Sequence, residues 1–537
     1  MAVAAGQSLP KKLKETYQKL KSDRATWESH WNELLTYILP RRGTITGYNT
    51  PGDKRQAHLL DNTAMQSNEI LAGALHGMLT NPFSPWFELS TGDDALDSND
   101  NVRKWLQDSA KRMHVTLNQS NFQTEVHELY LDLGCIGTAA MLTEEDDVSV
   151  IRFSTKSIKN VYVKENSLGV IDEVYRPFSW DASLIAEKFG EEKLTKRMKQ
   201  ALDKGLQESF EICHVTYPIS RYDRGAKSRF KFQSCYYFFE EDHELESAGF
   251  FENPYLVPRW TKLSDETYGR SPGMVALPEA KTVNKMTETM IRAAQKQVDP
   301  PVMIPDDGFI MPIKLTPGGI NIYRAGSPDR LETLFKHNMN LDFGYQAMEQ
   351  HRDRIRKAFY VDQLQLPPKD GNPRTAAEIN QTTEQSLRLL SPLLGRQNSE
   401  FLEPLITRLF GIMSRRNLLM AMPRELANSG GLTVKYSSLI ARAQRSSEGE
   451  TILRTLQTVS PFIQMDPSVM DNFDGDAALR KIASIQGCPQ EVIRDVDKRD
   501  KIREGRARAQ EQQVNQMQET HEADTIQKMA PMLVGKK

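Results

Sequence analysis

Apolar residues near the start of the chain fall at Leu13, Tyr17, Leu20, Trp27, Trp31, Leu34, Leu35 and Ile38. Steps of three and four predict one amphipathic helix over 10–39, stopped by Pro40. A polar loop, "RRGTITGYNTPGDKRQ", follows, and helical spacing returns near 63–79, 100–118 and 121–133. From about residue 139 the period shortens. "VSVIRFSTK", "NVYVKEN", "GVIDEVYRPFSW", "FEICHVTYPI", "FKFQSCYYFFE" and "FFENPYLVPRW" read as strands between turn residues. Short helical patterns near 181–190 and 193–207 interrupt them, so the expected class is α+β, mostly helical, without regular βαβ alternation.

After Trp260 the pattern changes again. Ser271 can cap a helix that has Pro272 at its first position, and Pro278 should kink or restart it. Residues 298–329 carry too many prolines and glycines for a long helix, and an irregular or β-containing module is expected there. A second helix is expected over about 338–360, then the stiff loop "LPPKDGNPRTAAEIN" at 366–380. The longest periodic segment, about 375–421, carries Leu387, Leu390, Leu394, Phe401, Leu405, Leu409, Ile412 and Met413. As one helix it would extend on the order of 70 Å, with kinks at Pro392 and Pro404. Thr375 and Glu378 form a capping box at its start. Beyond about 440 the chain reads as helical and increasingly polar.

Composition narrows the function classes. The 537 residues are 39% hydrophobic and 26% charged, with a formal net charge of −2. That balance suits a folded protein and argues against a general tight nucleic-acid binder, whose footprint is basic. No apolar run approaches the roughly 18 residues that a bilayer span needs, and "MAVAAGQSLPKK" lacks the basic n-region of a secretory signal. Cys135, Cys213, Cys235 and Cys488 are far apart with no CxxC pair, which predicts buried free thiols in a reducing compartment.

Candidate chemistry is sparse. There is no GxxxxGK[ST] loop, no G-x-S-x-G elbow and no zinc spacing. His127-Glu128 starts like HExxH, but Leu131 stands where the second histidine belongs, so a helix-surface histidine is expected. The acidic runs "TEEDDVSV" and "GDDALDSND" read as solvated loops rather than a nuclease metal site. "LGCIGTAAM" reads as a helix end packed closely on a sheet. No catalytic residue, cofactor or metal site is nominated.

The helix over 279–298 is unusual. Lys281, Lys285, Glu288, Arg292 and Lys296 share one face, and Val283, Met286, Met290 and Ala294 form only a thin apolar stripe. Such a helix buries too little to be held firmly in a monomer's core. It is either a surface hairpin with ion pairs such as Glu288 to Arg292, or a helix packed between copies of itself with one face towards a channel.

The order "DETYGRSP", helix, Pro/Gly-rich module, helix, "RTAAEI", kinked helix, "LTVKYSSLIARAQ" resembles the portal, or head-to-tail connector, proteins of short-tailed (podoviral) phages. The resemblance covers roughly 10–500 and is sharpest at Asp265 to Ser271 and at Thr375-Ala376-Ala377-Glu378-Ile379. It implies a non-enzymatic ring, usually of twelve subunits, at one capsid vertex of the virion, assembled in the bacterial cytoplasm. It further implies a wing over 1–271, stem helices over 272–297 and 338–361, a clip over 298–337 and a channel loop over 362–374. The kinked helix and returning strand, 375–439, would rejoin the wing, and 440–537 would form the crown. Implied partners are double-stranded DNA read without regard to sequence, the terminase large subunit, major capsid and scaffold proteins, and tail adaptor or tube proteins; no membrane is involved. A scaffold or internal core protein is the alternative.

A duct must pass DNA without gripping it, and each neutralised phosphate adds salt-dependent affinity. Near-neutral charge fits that task. In the family's architecture Lys369 and Arg374 belong to the channel loop with Pro367, Pro368, Asp370, Gly371, Asn372 and Pro373. Those two, with Lys281, Lys285, Arg292 and Lys296 on the stem, are the candidate DNA-facing groups. For the stem set, salt bridges between subunits are the other reading.

Overall fold

The computed structural model describes residues 9–47, 49–97, 99–223, 228–298, 302–303, 332–333, 342–364, 392, 394–426, 433–435, 449, 451–459, 473–485, 492–494 and 498–515. They divide into two compact units, Met1–Ser84 with Met113–Leu418, and Pro85–Arg112 with Leu419–Lys537. In chain order the helices begin with α1 (Leu9–Asp23), α2 (Ala25–Tyr37), α3 (Thr63–Leu79), α4 (Asp94–Asp97), α5 (Asp100–Gln119) and α6 (Phe122–Ile136). They continue with α7 (Ala182–Phe189), α8 (Lys196–Asp203), α9 (Ile219–Tyr222), α10 (Pro272–Val298), α11 (Asp342–Ala358), α12 (Val361–Leu364), α13 (Glu403–Arg415) and α14 (Gly475–Ile485). The strands are β1 (Glu88–Ser90), β2 (Ala140–Asp146), β3 (Val150–Lys156), β4 (Tyr162–Glu165), β5 (Ile171–Asp181) and β6 (Ser209–Pro218). After them come β7 (Phe232–Phe238), β8 (His243–Phe250), β9 (Tyr255–Leu256), β10 (Val302–Met303), β11 (Glu332–Thr333) and β12 (Thr433–Lys435).

The first unit is built on an antiparallel sheet in the order β4-β5-β6-β7-β8. Its strands alternate between two apolar faces, as a period of two requires. Phe178, Phe210, Ile212, Tyr236 and Phe238 point to one side, where Ile185 and Phe189 of α7 and Met198 of α8 cover them. Tyr175, Cys213, Val215, Cys235 and Tyr237 point to the other, under Leu13 and Tyr17 of α1. A smaller sheet, β3-β2-β9, lies beside it in the chain's path. His214 joins the two: its ring bonds Tyr255 of β9 and Ser234 of β7, both at 2.8 Å, and stacks on Tyr236. Strands β8 and β2 were not among the expected strands. "HELESAGF" has too few apolar positions to stand out, and the acidic "TEED" of β2 hides a strand whose turn begins only after Asp146.

The N-terminal helix is not continuous. It breaks at Arg24, which is 1% exposed. The Arg24 guanidinium donates to the carbonyls of Ile158, Lys159 and Val161, pairs with Glu28, and lies 3.5 Å over the Tyr162 ring. Burying a guanidinium requires that its donors be satisfied, and the chain bends to bring it to those carbonyls. "LGCIGTAAM" is a helix end as expected, with α6 closing on Gly137 at φ +90°, but its close approach is to the segment entering α10 rather than a sheet: a Cβ at 137 would lie 2.6 Å from the Gly269 oxygen, and Ala140 and Met141 already belong to β2. Ser271 caps α10 by accepting from the Met274 N–H at 3.0 Å, and it also donates to the Cys135 carbonyl at 2.6 Å. The expected restart at Pro278 does not occur, because Ala276, Leu277, Ala280 and Val283 are buried on both sides of it and hold one helix.

The predicted long helix is described only from its middle. Residues 398–402 form a π-helical turn immediately before Pro404, whose missing N–H disrupts the regular ladder there. The helix stops at Arg415 rather than near 421. Asn417 adopts φ +55° and the Leu418 N–H bonds the Met413 carbonyl at 2.9 Å, a Schellman-type end. Arg408, 1% exposed, donates to Thr143 Oγ1 and to the Thr143 carbonyl at 2.6 and 2.8 Å. Arg259, 2% exposed, pairs with Glu400 at 2.8 Å and with Glu165.

In the second unit β1 pairs antiparallel with β12, so Leu89 faces Val434. The Trp105 indole N–H donates to the Met420 carbonyl at 3.0 Å. Asp476 of α14 pairs with Arg499 and Arg503. Residues 501–515 are helical and exposed throughout, which matches the polar C-terminal reading. Of the expected β-containing module over 298–329, the described part is β10, which pairs with β11 (Glu332–Thr333) beyond that range. Cys135, Cys213 and Cys235 are buried and free; Cys488 lies outside the described residues.

Two predictions follow from these buried groups. Burial holds the His214 imidazolium well below the usual histidine range, so it stays neutral when folded but binds a proton near pH 6.5 when unfolded. The unfolded chain then binds more protons, and stability falls as pH drops below about 6.5, by about 1.4 kcal/mol per pH unit. Denaturant unfolding of His214→Gln should show a correspondingly shallower loss between pH 6.5 and 5. Arg259→Ala removes the buried cation between Glu400 and Glu165, leaving each with only its more exposed partner, Arg396 or Lys262, and should cost about 3 kcal/mol in the same assay.

Candidate functional site

The two helices α10 and α11 form an antiparallel hairpin. Glu279 meets His351 and Arg354, Thr287 meets Met348, and Met290 meets Gly344. Gly344 lets the helices approach closely: a Cβ there would lie 2.7 Å from the Met290 Sδ and would push that flexible side chain aside. Charged groups clamp the lower half of the hairpin to the body. The Asn284 side chain accepts from the Leu60 and Asp61 N–H groups at 2.7 and 3.3 Å and donates to the His58 carbonyl. Arg352 pairs with Asp61 at 2.8 Å. His351 donates to Glu279, and that hydrogen bond, with help from Arg354, holds the Glu279 carboxyl below its usual range. The clamp was not legible in the sequence, because Asn284 and Asp61 are far apart and neither belongs to a motif.

The stem candidates separate into two groups. Lys281 sits at the base, paired with Glu33 of α2 at 2.6 Å and 5.9 Å from the Tyr37 ring. Lys285 and Arg292 flank Glu288 at 2.8 and 2.6 Å, and the Lys285 hydrogen bond is the main cause that keeps the Glu288 carboxyl ionised below its usual range. The expected pair Glu288 to Arg292 is therefore present. Lys296 is exposed in the last turn. Lys369, Arg374, Pro367, Pro368, Asp370, Gly371, Asn372, Pro373, Thr375 and Glu378 lie outside the described residues.

The other candidates are structural in their surroundings. His127 is half-buried on α6 beside His76, ring centroids 6.2 Å apart, and Leu131 behind it is buried. Asp97 accepts from Ser90 Oγ and from both the N–H and the hydroxyl of Thr91, so this acidic run is partly an ordered turn rather than a purely solvated loop. Among the described residues, no three His, Cys, Asp or Glu side chains are grouped so as to hold a metal ion. Among the same residues no helix is long and apolar enough to cross a membrane.

The described residues of the first unit thus form a mixed α+β body, tied internally by buried arginines and carrying an ion-paired helical hairpin. Residues 10–493 match the family described as "Bacteriophage head to tail connecting protein", and the chain belongs to that family. It is thus a connector of phage head to tail. It is 28% identical over 499 residues to a "Probable portal protein" of Bordetella phage BPP-1, covering 91% of this chain and 89% of the relative. It is 29% identical over 507 residues to a "Portal protein" of Salmonella phage epsilon15, covering 93% and 91%. A chain from the "Virion of native gene transfer agent (GTA) particle" aligns at 10% identity over 79% of this chain and 94% of its own, with a TM-score of 0.35, too slight a likeness to bear on the fold.

If Asn284 clamps the hairpin, Asn284→Ala should loosen the 58–61 loop by about 1 kcal/mol. Hydrogen exchange would read this as faster exchange at the Leu60 and Asp61 amides, with the five-stranded sheet unchanged.

Proposed function

We propose that the chain is the portal of a short-tailed phage. Copies of it, twelve by family precedent, close a ring at one capsid vertex, and genomic DNA enters through the central channel during packaging and leaves through it at infection. The family match over residues 10–493 carries this reading, since it spans both the sheet body and the α10–α11 hairpin. In this reading 1–271 and 375–439 form the wing, 272–297 and 338–361 the stem, 298–337 the clip, 362–374 the channel loop and 440–537 the crown. The subunit is not an enzyme. ATP hydrolysis belongs to the terminase large subunit, which docks on the clip and later gives way to tail adaptor or tube proteins. Major capsid and scaffold proteins meet the ring during assembly in the host cytoplasm, and the finished ring stays in the virion.

The role assigned to the loop follows from passage of DNA of any sequence. Lys369 and Arg374, repeated around a ring, offer a few cations to the backbone without the dense basic lining that would retard it. A scaffold or internal core protein is disfavoured by the compact sheet body, which scaffolding does not need.

Negative-stain microscopy of the purified protein should show rings with a central hole, and the protein alone should hydrolyse no ATP. Monodisperse monomers at high concentration would sink the reading. The double variant Lys369→Ala with Arg374→Ala should still form rings but alter packaged genome length or retention. Unchanged packaging and retention would remove the loop from the duct.

A further inference from the structure

Among the described residues, every buried or half-buried arginine but one bonds a carboxylate or a backbone carbonyl. The exception is Arg176 of β5, which is half-buried. Its guanidinium lies 4.8 Å from the Phe178 ring and reaches the Tyr255 side chain. A guanidinium carries five donors, so most of those on Arg176 have no acceptor among the described residues.

The surroundings add positive charge. Arg176 opposes His214 in the sheet register and His214 opposes Tyr236, so the three form a row across the face that α7 covers. Lys188 of α7 stands at the end of that row, 3.5 Å from the Tyr236 hydroxyl. It lies 5.0, 5.5 and 5.8 Å from the rings of Tyr236, Trp180 and Phe189. Lys156 approaches from β3 of the small sheet, its Nζ donating to Ser154 Oγ at 2.5 Å. Burial first, and then the charge of Arg176, push the Lys156 ammonium down to about 8; Lys188 adds to the push, and Glu144 and Glu125 oppose it. The Glu125 carboxylate already accepts from the Thr155 N–H at 2.6 Å. Among the described residues, neither lysine has a carboxylate within ion-pair distance.

Aromatic rings therefore hold Arg176 and Lys188 where carboxylates hold the body's other arginines. A ring face positions a cation without cancelling its charge. The three cations converge with that charge largely intact, and like charges gathered so closely disfavour one another. An anion received among them relieves the repulsion. A guanidinium fork with two ammonium groups suits a tetrahedral oxyanion, which offers several acceptor oxygens. A long polyanion such as duplex DNA would also meet Glu144 of β2 and Glu246, which opposes Tyr236 from β8, and be repelled.

We propose that Arg176, Lys188 and Lys156 form a binding site for a free phosphate-class oxyanion where β3 and α7 meet the five-stranded sheet. Bound there, one ion ties β3 and α7 to β5. The site is separate from the hairpin and from the channel loop, and it does not depend on the ring reading.

The test uses the full-length chain, with inorganic phosphate and sulfate as probes. At constant ionic strength, balanced with chloride, either anion should raise the unfolding temperature saturably, and calorimetric titration should give one site per subunit. Arg176→Gln should weaken phosphate binding at least about tenfold, the scale of a lost charge-assisted hydrogen bond. Lys188→Gln, at an exposed position, should weaken it in the same direction with the fold intact, which circular dichroism checks for both variants. Lys285→Gln on the hairpin should leave binding unchanged. Sulfate keeps its charge, so its binding should weaken above about pH 8 as Lys156 loses its proton, and Lys156→Met should flatten that profile. No saturable stabilisation beyond the chloride control would overturn the proposal, as would phosphate binding that survives unchanged in Lys188→Gln. A short DNA duplex that binds more tightly than free phosphate, and loses that affinity in Lys188→Gln, would overturn it too by making the cluster a nucleic-acid contact.

Discussion

The position of the hairpin depends on one buried guanidinium. Arg259 stands on the segment that leads from β9 into α10, and its donors reach three separate parts of the chain. They bond Glu400 in the π-helical turn, Glu165 at the end of β4, and the carbonyls of Thr267 and Gly169. Its own N–H donates to Glu400 at 3.0 Å, and its carbonyl accepts from Gln397 at 2.8 Å. A charge buried to this extent is tolerated only when every donor is met. The sheet, the long C-terminal helix and the start of α10 are therefore held in one mutual arrangement. Arg24 and Arg408 do the same for the N-terminal helices and the small sheet.

That arrangement explains how one chain combines a rigid body with a lightly held projection. The sheet is covered on both faces, and α10 begins inside the body, capped by Ser271 and packed as far as Val283. Beyond that point the helix depends on α11 and on ion pairs. Such pairs at a surface contribute little each, so the distal hairpin is held less firmly than its base.

Much of the secondary structure was legible in the residues. The helices over 63–79, 100–118 and 121–133 appear as Thr63–Leu79, Asp100–Gln119 and Phe122–Ile136, because each carries an apolar stripe broad enough to be a core face. The strands β5, β6 and β7 were legible because their apolar residues alternate so clearly. The misreadings share a cause. The break at Arg24, the unbroken helix through Pro278 and the stop at Asn417 each hinge on a contact with residues distant in sequence or on a single backbone conformation. The clamp of Asn284 and Arg352 on the 58–61 loop was invisible for the same reason.

The sequence by itself determined the class and the order of elements: periodicity depends on neighbours three, four or two positions away, and those are written in the chain. It also showed that α10 was too charged for a core. Only the tertiary structure decided which arginines are buried, that Lys281 is held at the base by Glu33, and that Asn284 and Arg352 clamp the hairpin to the 58–61 loop. Those outcomes depend on which residues meet across the fold, and a buried arginine is spelled no differently from an exposed one.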